Sequence, residues 1–111
     1  MMSTALSKPA ALGELVDYQP DAVISRVVFR NAGGTLTVFA FDEGQGLTEH
    51  SNPNAAILLP LEGTLDVLIG AESHTLHPGE CLHLPATIPH TIVAGGRFKM
   101  LLTLLKTAPT E

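Results

Sequence analysis

Apolar and polar residues alternate in short runs along most of this chain, and proline or glycine separates the runs from about residue 20 onward. Side chains on a β-strand alternate between two faces, so this period indicates strands rather than helices. The run TLTVFAF at 35–41 follows the turn NAGG at 31–34, and residues 23–30 are rich in β-branched side chains. Because asparagine and glycine readily adopt the positive φ of a tight turn, we predict a β-hairpin over 23–41.

Further short apolar or alternating runs complete the predicted strands: 55–61, 64–69, 74–76, 81–84, 90–94 and 98–106. No segment has the length and periodicity of a long amphipathic helix, and only a short helical turn is indicated around 11–16. Roughly eight short strands in 111 residues predict one all-β domain, either a sandwich or a closed jelly roll.

The charge and composition of the chain argue against some classes of function. Six Lys plus Arg against eleven Asp plus Glu give a formal charge of −5, so we expect neither a nucleic-acid nor an anionic-membrane surface. The single cysteine, Cys81, cannot form an intrachain disulfide, which fits a reducing compartment. The N-terminus lacks the apolar core of a signal peptide, and the longest apolar run is far too short to span a membrane. We therefore expect a soluble, cytoplasmic protein.

Two stretches carry glycine, proline and histidine at fixed spacing: Gly44, His50, Asn52 and Gly63 in the first, and Gly79, Pro85, Thr87 and His90 in the second. The first resembles the first motif of the cupin family, in which two histidines and a glutamate stand between two glycines. The second resembles the second cupin motif, in which glycine, proline, glycine, histidine and asparagine follow one another. The intervening residues 64–78 are similar in number to the short spacing of small microbial cupins.

The resemblance is to small single-domain cupins of the RmlC-like, cupin_2 type without an assigned activity. It implies an all-β double-stranded β-helix, a jelly-roll cupin barrel, over residues 23–106. A partly ordered N-terminal tail at 1–22 and a C-terminal tail at 107–111 would flank the barrel. It also implies a pocket inside the barrel and a homodimer as the usual assembly. In many members, histidines of both motifs and the glutamate of the first motif hold a divalent metal.

This chain keeps only part of that ligand set. His50 and His90 match one histidine of each motif, but Asn52 stands where the second histidine of the first motif would be. The glutamate position falls on Ala56, or on Ile57 under the looser motif spacing. A tightly held transition metal needs several ligands, and a +2 ion in an apolar barrel needs an anion to offset it. Two imidazoles without a carboxylate therefore predict a weak metal site.

Two residues near His90 in the sequence also affect the predicted site. His83 lies in the segment CLHL, where Leu82 and Leu84 form the natural interior pair, so we expect His83 to face outward. Thr87 replaces the glycine of the second motif, which predicts a local difference in the turn before His90.

Three roles stay open, and the sequence indicates neither a reaction nor catalytic residues. In the preferred one, an apolar pocket binds a small neutral or anionic organic ligand, and its predicted lining residues are His50, Asn52, Ala56 and His90. In the first alternative, a metal-dependent dioxygenase or isomerase holds a divalent Zn, Ni, Fe, Mn or Cu ion through His50, His90 and water, with Asn52 as a weaker third ligand. In the second alternative, the protein is a non-catalytic structural protein with a vestigial pocket.

Overall fold

Nine antiparallel strands and one turn of 3-10 helix are found in the computed structural model, which describes residues 5–106 and, at His50, only the backbone. The helical turn is Leu12–Glu14. The strands are β1 Val23–Asn31, β2 Gly34–Phe41, β3 Leu47–His50, β4 Ala55–Glu62, β5 Leu65–Ile69, β6 Glu72–Leu76, β7 Leu82–Leu84, β8 His90–Val93 and β9 Phe98–Leu105. The predicted all-β class is confirmed. None of the helical structure in residues 5–106 is long and apolar enough to cross a membrane.

The strands form two sheets. Sheet A has the order β1-β2-β9-β4-β7, and sheet B has the order β3-β8-β5-β6. The predicted hairpin over 23–41 is confirmed, because β1 pairs with β2 from Val23 opposite Phe41 to Asn31 opposite Gly34. A β-bulge at Val28 interrupts this pairing and bends the strand locally.

Side chains from the inner faces of the two sheets form the main core. The rings of Phe41 and Phe98 stack there with their centroids 4.3 Å apart. The alternation predicted for β5 is also present, since Leu65 and Val67 are buried while Asp66 is exposed. The remaining buried members of the main core are Ala56, Leu58, Leu76, Leu84, Ile92 and Met100. Burial of this much apolar surface is the principal force that holds the two sheets together.

A second core covers the outer face of sheet A. Its buried residues are Val16, Val28, Val38 and Ala40, and apolar side chains between residues 5 and 18 pack against them. The Nζ of Lys99 donates a hydrogen bond of 2.6 Å to the carbonyl of Gly13, which fixes this N-terminal segment to β9. The described part of the predicted N-terminal tail is thus a packed layer. The predicted C-terminal tail at 107–111 lies outside the described residues.

Candidate functional site

Two loops cross between the sheets at the same end of the molecule. Residues 51–54 join β3 of sheet B to β4 of sheet A, and residues 85–89 join β7 of sheet A to β8 of sheet B. The backbone N–H of Thr87 in the second loop donates a hydrogen bond of 2.7 Å to the carbonyl of Asn52 in the first. We call this the His90 end, because His90 is the first residue of β8.

His90 faces the interior of the molecule. Its side chain is only 7 % exposed, and Ile92, two residues further along the same strand, lies in the main core. Residues two apart on a strand share a face, so His90 and Ile92 point the same way. The backbone register sets His90 opposite Ile69 of β5 on one side and His50 of β3 on the other. The side chain of His50 lies outside the described part of the structure.

The predicted glutamate position carries no polar group. Ala56 is 5 % exposed and belongs to the main core. It is the second residue of β4, where it pairs with Leu84 on β7 and Leu104 on β9. The wall that faces the interior at this position is therefore apolar.

Asn52 acts in the structure of its own loop. Its side-chain Oδ1 accepts a hydrogen bond of 2.8 Å from the backbone N–H of Asn54, which makes an Asx turn. This turn holds the Asn52 carbonyl where it meets the N–H of Thr87. The amide oxygen that we considered as a weak metal ligand is therefore engaged within the loop.

Thr87 has an unusual backbone conformation. Its φ is +68°, in the left-handed region that glycine adopts without cost and that is unfavourable for a β-branched residue. Its hydroxyl donates a hydrogen bond of 2.6 Å to the carbonyl of Ala86. The threonine that replaces the motif glycine thus occupies a conformation suited to glycine.

The family profile described as Cupin_2, cupin domain, matches residues 37–104, which is more than half of the chain. The chain belongs to the Cupin_2 family. The resemblance to small cupins that the two motifs predicted is confirmed.

Solved structures of other cupins are similar over nearly the whole chain. A conserved protein of unknown function from Streptococcus pyogenes is 31% identical with a TM-score of 0.85, and the match covers 93% of this chain and 90% of that one. A cupin superfamily protein from Desulfitobacterium hafniense is 26% identical with a TM-score of 0.85, covering 91% and 93%. A cupin 2 conserved barrel domain protein from Leptotrichia buccalis is 32% identical with a TM-score of 0.80, covering 85% and 46%. Among curated proteins, none matches the chain.

The described residues of this cupin do not make a set of ligands suited to a tightly held metal. Across residues 5–106, leaving out the side chain of His50, no three His, Cys, Asp or Glu side chains are grouped so that they could share an ion. At the His90 end the imidazole of His90 is buried, the amide oxygen of Asn52 is engaged within its loop, and Ala56 supplies no ligand. His83 faces outward as predicted, since it is exposed between the inward Leu82 and Leu84.

Two surface clefts of the cupin lie away from this group of residues. One, of about 290 Å³, is lined mainly by Phe29, Asn31, Gly33, Leu36, Leu104 and Leu105. The other, of about 320 Å³, is lined by residues 46–48 and 91–94. Neither is lined by Asn52, Ala56 or His90.

A polar cluster that sequence reasoning missed lies at the opposite end. Asp42 accepts hydrogen bonds of 2.7 Å from the backbone N–H of Asp21 and from the Nε of Arg97, and these lower the pKa of its carboxyl. Tyr18 donates a 2.6 Å bond to Glu62, and its burial and this bond raise the pKa of its phenol. The side chain of Arg97 lies over the Tyr18 ring, 4.8 Å from its centroid. The cluster fastens the N-terminal segment to the barrel, and no motif spacing marks it.

Proposed function

We propose that this cupin-domain protein binds a small, partly apolar organic molecule, neutral or anionic, in the barrel interior at the His90 end. The observation that carries the proposal is the buried imidazole of His90 on an inner face whose opposite wall, at Ala56, has lost the carboxylate of the family motif. A cavity of apolar walls with few polar groups is the usual form of a small-molecule site.

The charge of the site supports the choice of ligand. The described residues include no group of three His, Cys, Asp or Glu side chains that could share a cation, and burying an unpaired charge is costly. A neutral molecule, or an anion that accepts a hydrogen bond from the imidazole, avoids that cost. We therefore propose that the site selects ligands by charge.

Ligand-perturbed NMR spectra test the proposal with three probes of similar shape, namely benzoate, benzyl alcohol and benzylammonium. We expect benzoate or benzyl alcohol to shift the amide signals of Ala56, Ile69 and His90, and benzylammonium to leave them unchanged. Replacing His90 by alanine should weaken the binding roughly tenfold, as expected when one hydrogen bond in a buried site is lost.

The controls separate binding from folding. His83→Ala removes an outward-facing imidazole and should bind the probes like the parent protein. His90→Gln, which keeps a hydrogen-bonding side chain, serves if His90→Ala does not fold. Shifts confined to the two surface clefts, or equal shifts with benzylammonium, would contradict the proposal.

The alternative is a metal-dependent enzyme in which His50, His90 and water hold a divalent ion. The described donors do not favour it, because they fall short of the several ligands that such an ion takes. Elemental analysis of protein purified without a histidine tag or a chelator tests whether the protein holds a metal ion. The His50→Ala, His90→Ala double variant is the control. Stoichiometric metal in the parent and none in the variant would overturn the preferred role.

A structural role without a ligand is the second alternative, and the packing of the main core favours it. Phe41, Phe98, Leu58 and Met100 fill the middle of the barrel and are almost completely buried. On this view none of the three probes shifts the signal of His90, even at saturating concentration.

We also propose that the protein forms a homodimer through β1. This nine-residue strand lies at the edge of sheet A, and none of the described strands pairs with its outer side. Val27 and Phe29 expose 45% and 38% of their surface there. A long edge strand with exposed apolar side chains is a template for pairing with a second chain. An antiparallel second copy centred on Val27 would set Arg26 opposite the partner's Val28, which avoids a contact between arginines.

A further inference from the structure

We propose that loops 51–54 and 85–89 form a lid over the His90 end, that the Thr87–Asn52 hydrogen bond holds it closed, and that the strained backbone of Thr87 favours its opening. The inference deepens the proposed function and rests on it, because the lid would regulate access to the same interior site. It assigns Thr87 and Asn52 as positioning residues rather than as ligands.

The interior site needs a lid that moves. His90 is 7 % exposed, and Ala56 and Leu84 on the facing sheet are 5% and 2% exposed. A molecule larger than water cannot reach the imidazole while these side chains are covered. Residues 51–54 and 85–89 bridge the two sheets at this end, and in the proposed lid they separate before a ligand enters.

The contacts of the loops show where they would separate. The N–H of Thr87 donates to the carbonyl of Asn52 over 2.7 Å, and this bond joins the two loops directly. The carbonyl of Pro89 accepts a 3.1 Å bond from the N–H of Gly70, which anchors the far end of its loop to the β5–β6 turn. Pro85 and Pro89 have φ angles fixed by their rings, so a change of conformation concentrates on residues 86–88.

Two features of the lid act in opposite directions. The φ of +68° at Thr87 disfavours the closed state, because the β-branched side chain crowds the backbone in the left-handed region. The Asx turn of Asn52 favours the closed state, because it holds the accepting carbonyl in position. The balance between them sets how often the lid opens.

Chemical modification of His90 measures the opening without any ligand. Diethyl pyrocarbonate acylates accessible imidazole nitrogens, and mass spectrometry of the peptides gives a rate for each histidine. His77 and His83 are exposed and provide internal reference rates in the same molecule. The rate at His90 relative to these two reports the fraction of time that the lid is open.

Three single variants make opposed predictions. Thr87→Asn should slow the modification of His90 about fivefold, because asparagine tolerates positive φ and so stabilises the closed lid. Thr87→Val keeps the β-branch and should not slow it. Asn52→Ala removes the acceptor of the Asx turn and should accelerate it severalfold, while the rates at His77 and His83 stay unchanged.

Several outcomes would contradict the proposal of a lid. These are Thr87→Asn reacting as fast as the parent, Asn52→Ala leaving the rate unchanged, or Thr87→Val slowing the reaction like Thr87→Asn. Amide exchange at Val67 in the main core separates lid opening from global unfolding, and a His90 rate that only follows this exchange would also contradict the proposal. Because the assay uses no ligand, failure of the lid and failure of the proposed ligand site are observed separately.

Discussion

Gly63 and Gly70 occupy turns with similar left-handed backbones but different surroundings. Their φ angles are +73° and +57°, in the region where a side chain is unfavourable. A Cβ on Gly63 would lie 2.4 Å from the carbonyl oxygen of Arg97 and 3.1 Å from the Cβ of Phe98. A Cβ on Gly70 would meet nothing within 4 Å. Replacing each of these two glycines by alanine therefore distinguishes the free-energy cost of a left-handed φ from the additional cost of a steric clash.

We expect Gly70→Ala to lower the free energy of unfolding by about 1 kcal/mol, which is the cost of a left-handed alanine. Gly63→Ala should cost about 2 kcal/mol more, because the backbone near Arg97 has to move to admit the methyl group. Urea unfolding at neutral pH measures both values. Equal losses in the two variants would show that the clash is relieved at no cost.

At the level of single residues, the sequence predicted which side chains face the interior but not the contacts between the loops. Motif spacing predicted that His90 and Ala56 face the interior, and strand alternation predicted that His83 faces outward. The bond from the Thr87 N–H to the Asn52 carbonyl could not be predicted, because it joins residues of two loops that meet only in the folded chain.

The elements at the end opposite His90 are joined by Asp42, which follows β2. Its carboxylate accepts one hydrogen bond from the backbone of the N-terminal segment and one from Arg97 before β9. Because these bonds stabilise the charged form, the carboxyl pKa is lower in the folded state than in the unfolded chain. The stabilisation that Asp42 supplies is complete above the unfolded pKa, and it is lost as the pH falls through the folded value.

Asp42→Asn should therefore lower the melting temperature at neutral pH, and the difference from the parent should shrink as the pH falls below about 4. Thermal melts at pH 7, 5 and 3 measure the trend. Arg97→Met and the double variant complete a mutant cycle, and we expect the coupling between the two sites to weaken as the pH falls, because protonation of Asp42 removes its charge. A difference that stays constant with pH would contradict the role of the Asp42 carboxylate.

Predictions at the level of elements were right where local pattern dominates. The β1–β2 hairpin and the β5 alternation depend on turn residues and on period, and both were predicted. The sequence LTEH of β3 mixes apolar and charged residues over four positions, so it carries too little pattern to be recognised. The helical turn was predicted, but the packing of its segment was not, because the contact of Lys99 with Gly13 spans most of the chain.

At the scale of the whole molecule, the apolar surface that remains exposed is concentrated at a few positions. Val27 and Phe29 lie on β1 at the edge of sheet A, and Val93 lies on β8 in sheet B with 40% exposure. The fold itself could be predicted, since two motifs of fixed spacing and the rhythm of turns both indicated a cupin. The proposed dimer involves a second chain, so spacing within one sequence carries no information about its geometry.

Light scattering coupled to size-exclusion chromatography tests the proposed dimer. Val27→Lys should convert it to a monomer, because a charged side chain would be buried at the centre of the β1 pairing, while the melting curve of the monomer fold is kept. Val93→Lys is the matched control, with similar exposure on the other sheet, and should remain a dimer. A parent protein that elutes as a monomer, or a dimer that tolerates Val27→Lys, would contradict the proposal.

Sheet A is covered on both faces, by the barrel core on one and by the N-terminal segment on the other. Along β2, Phe39 and Phe41 pack into the first layer while Val38 and Ala40 pack into the second. A strand in this situation has no solvent-facing row on which mutations accumulate harmlessly. Substitutions should therefore be tolerated least over 38–41 and more readily on β6, where Glu72, Ser73 and Thr75 are exposed.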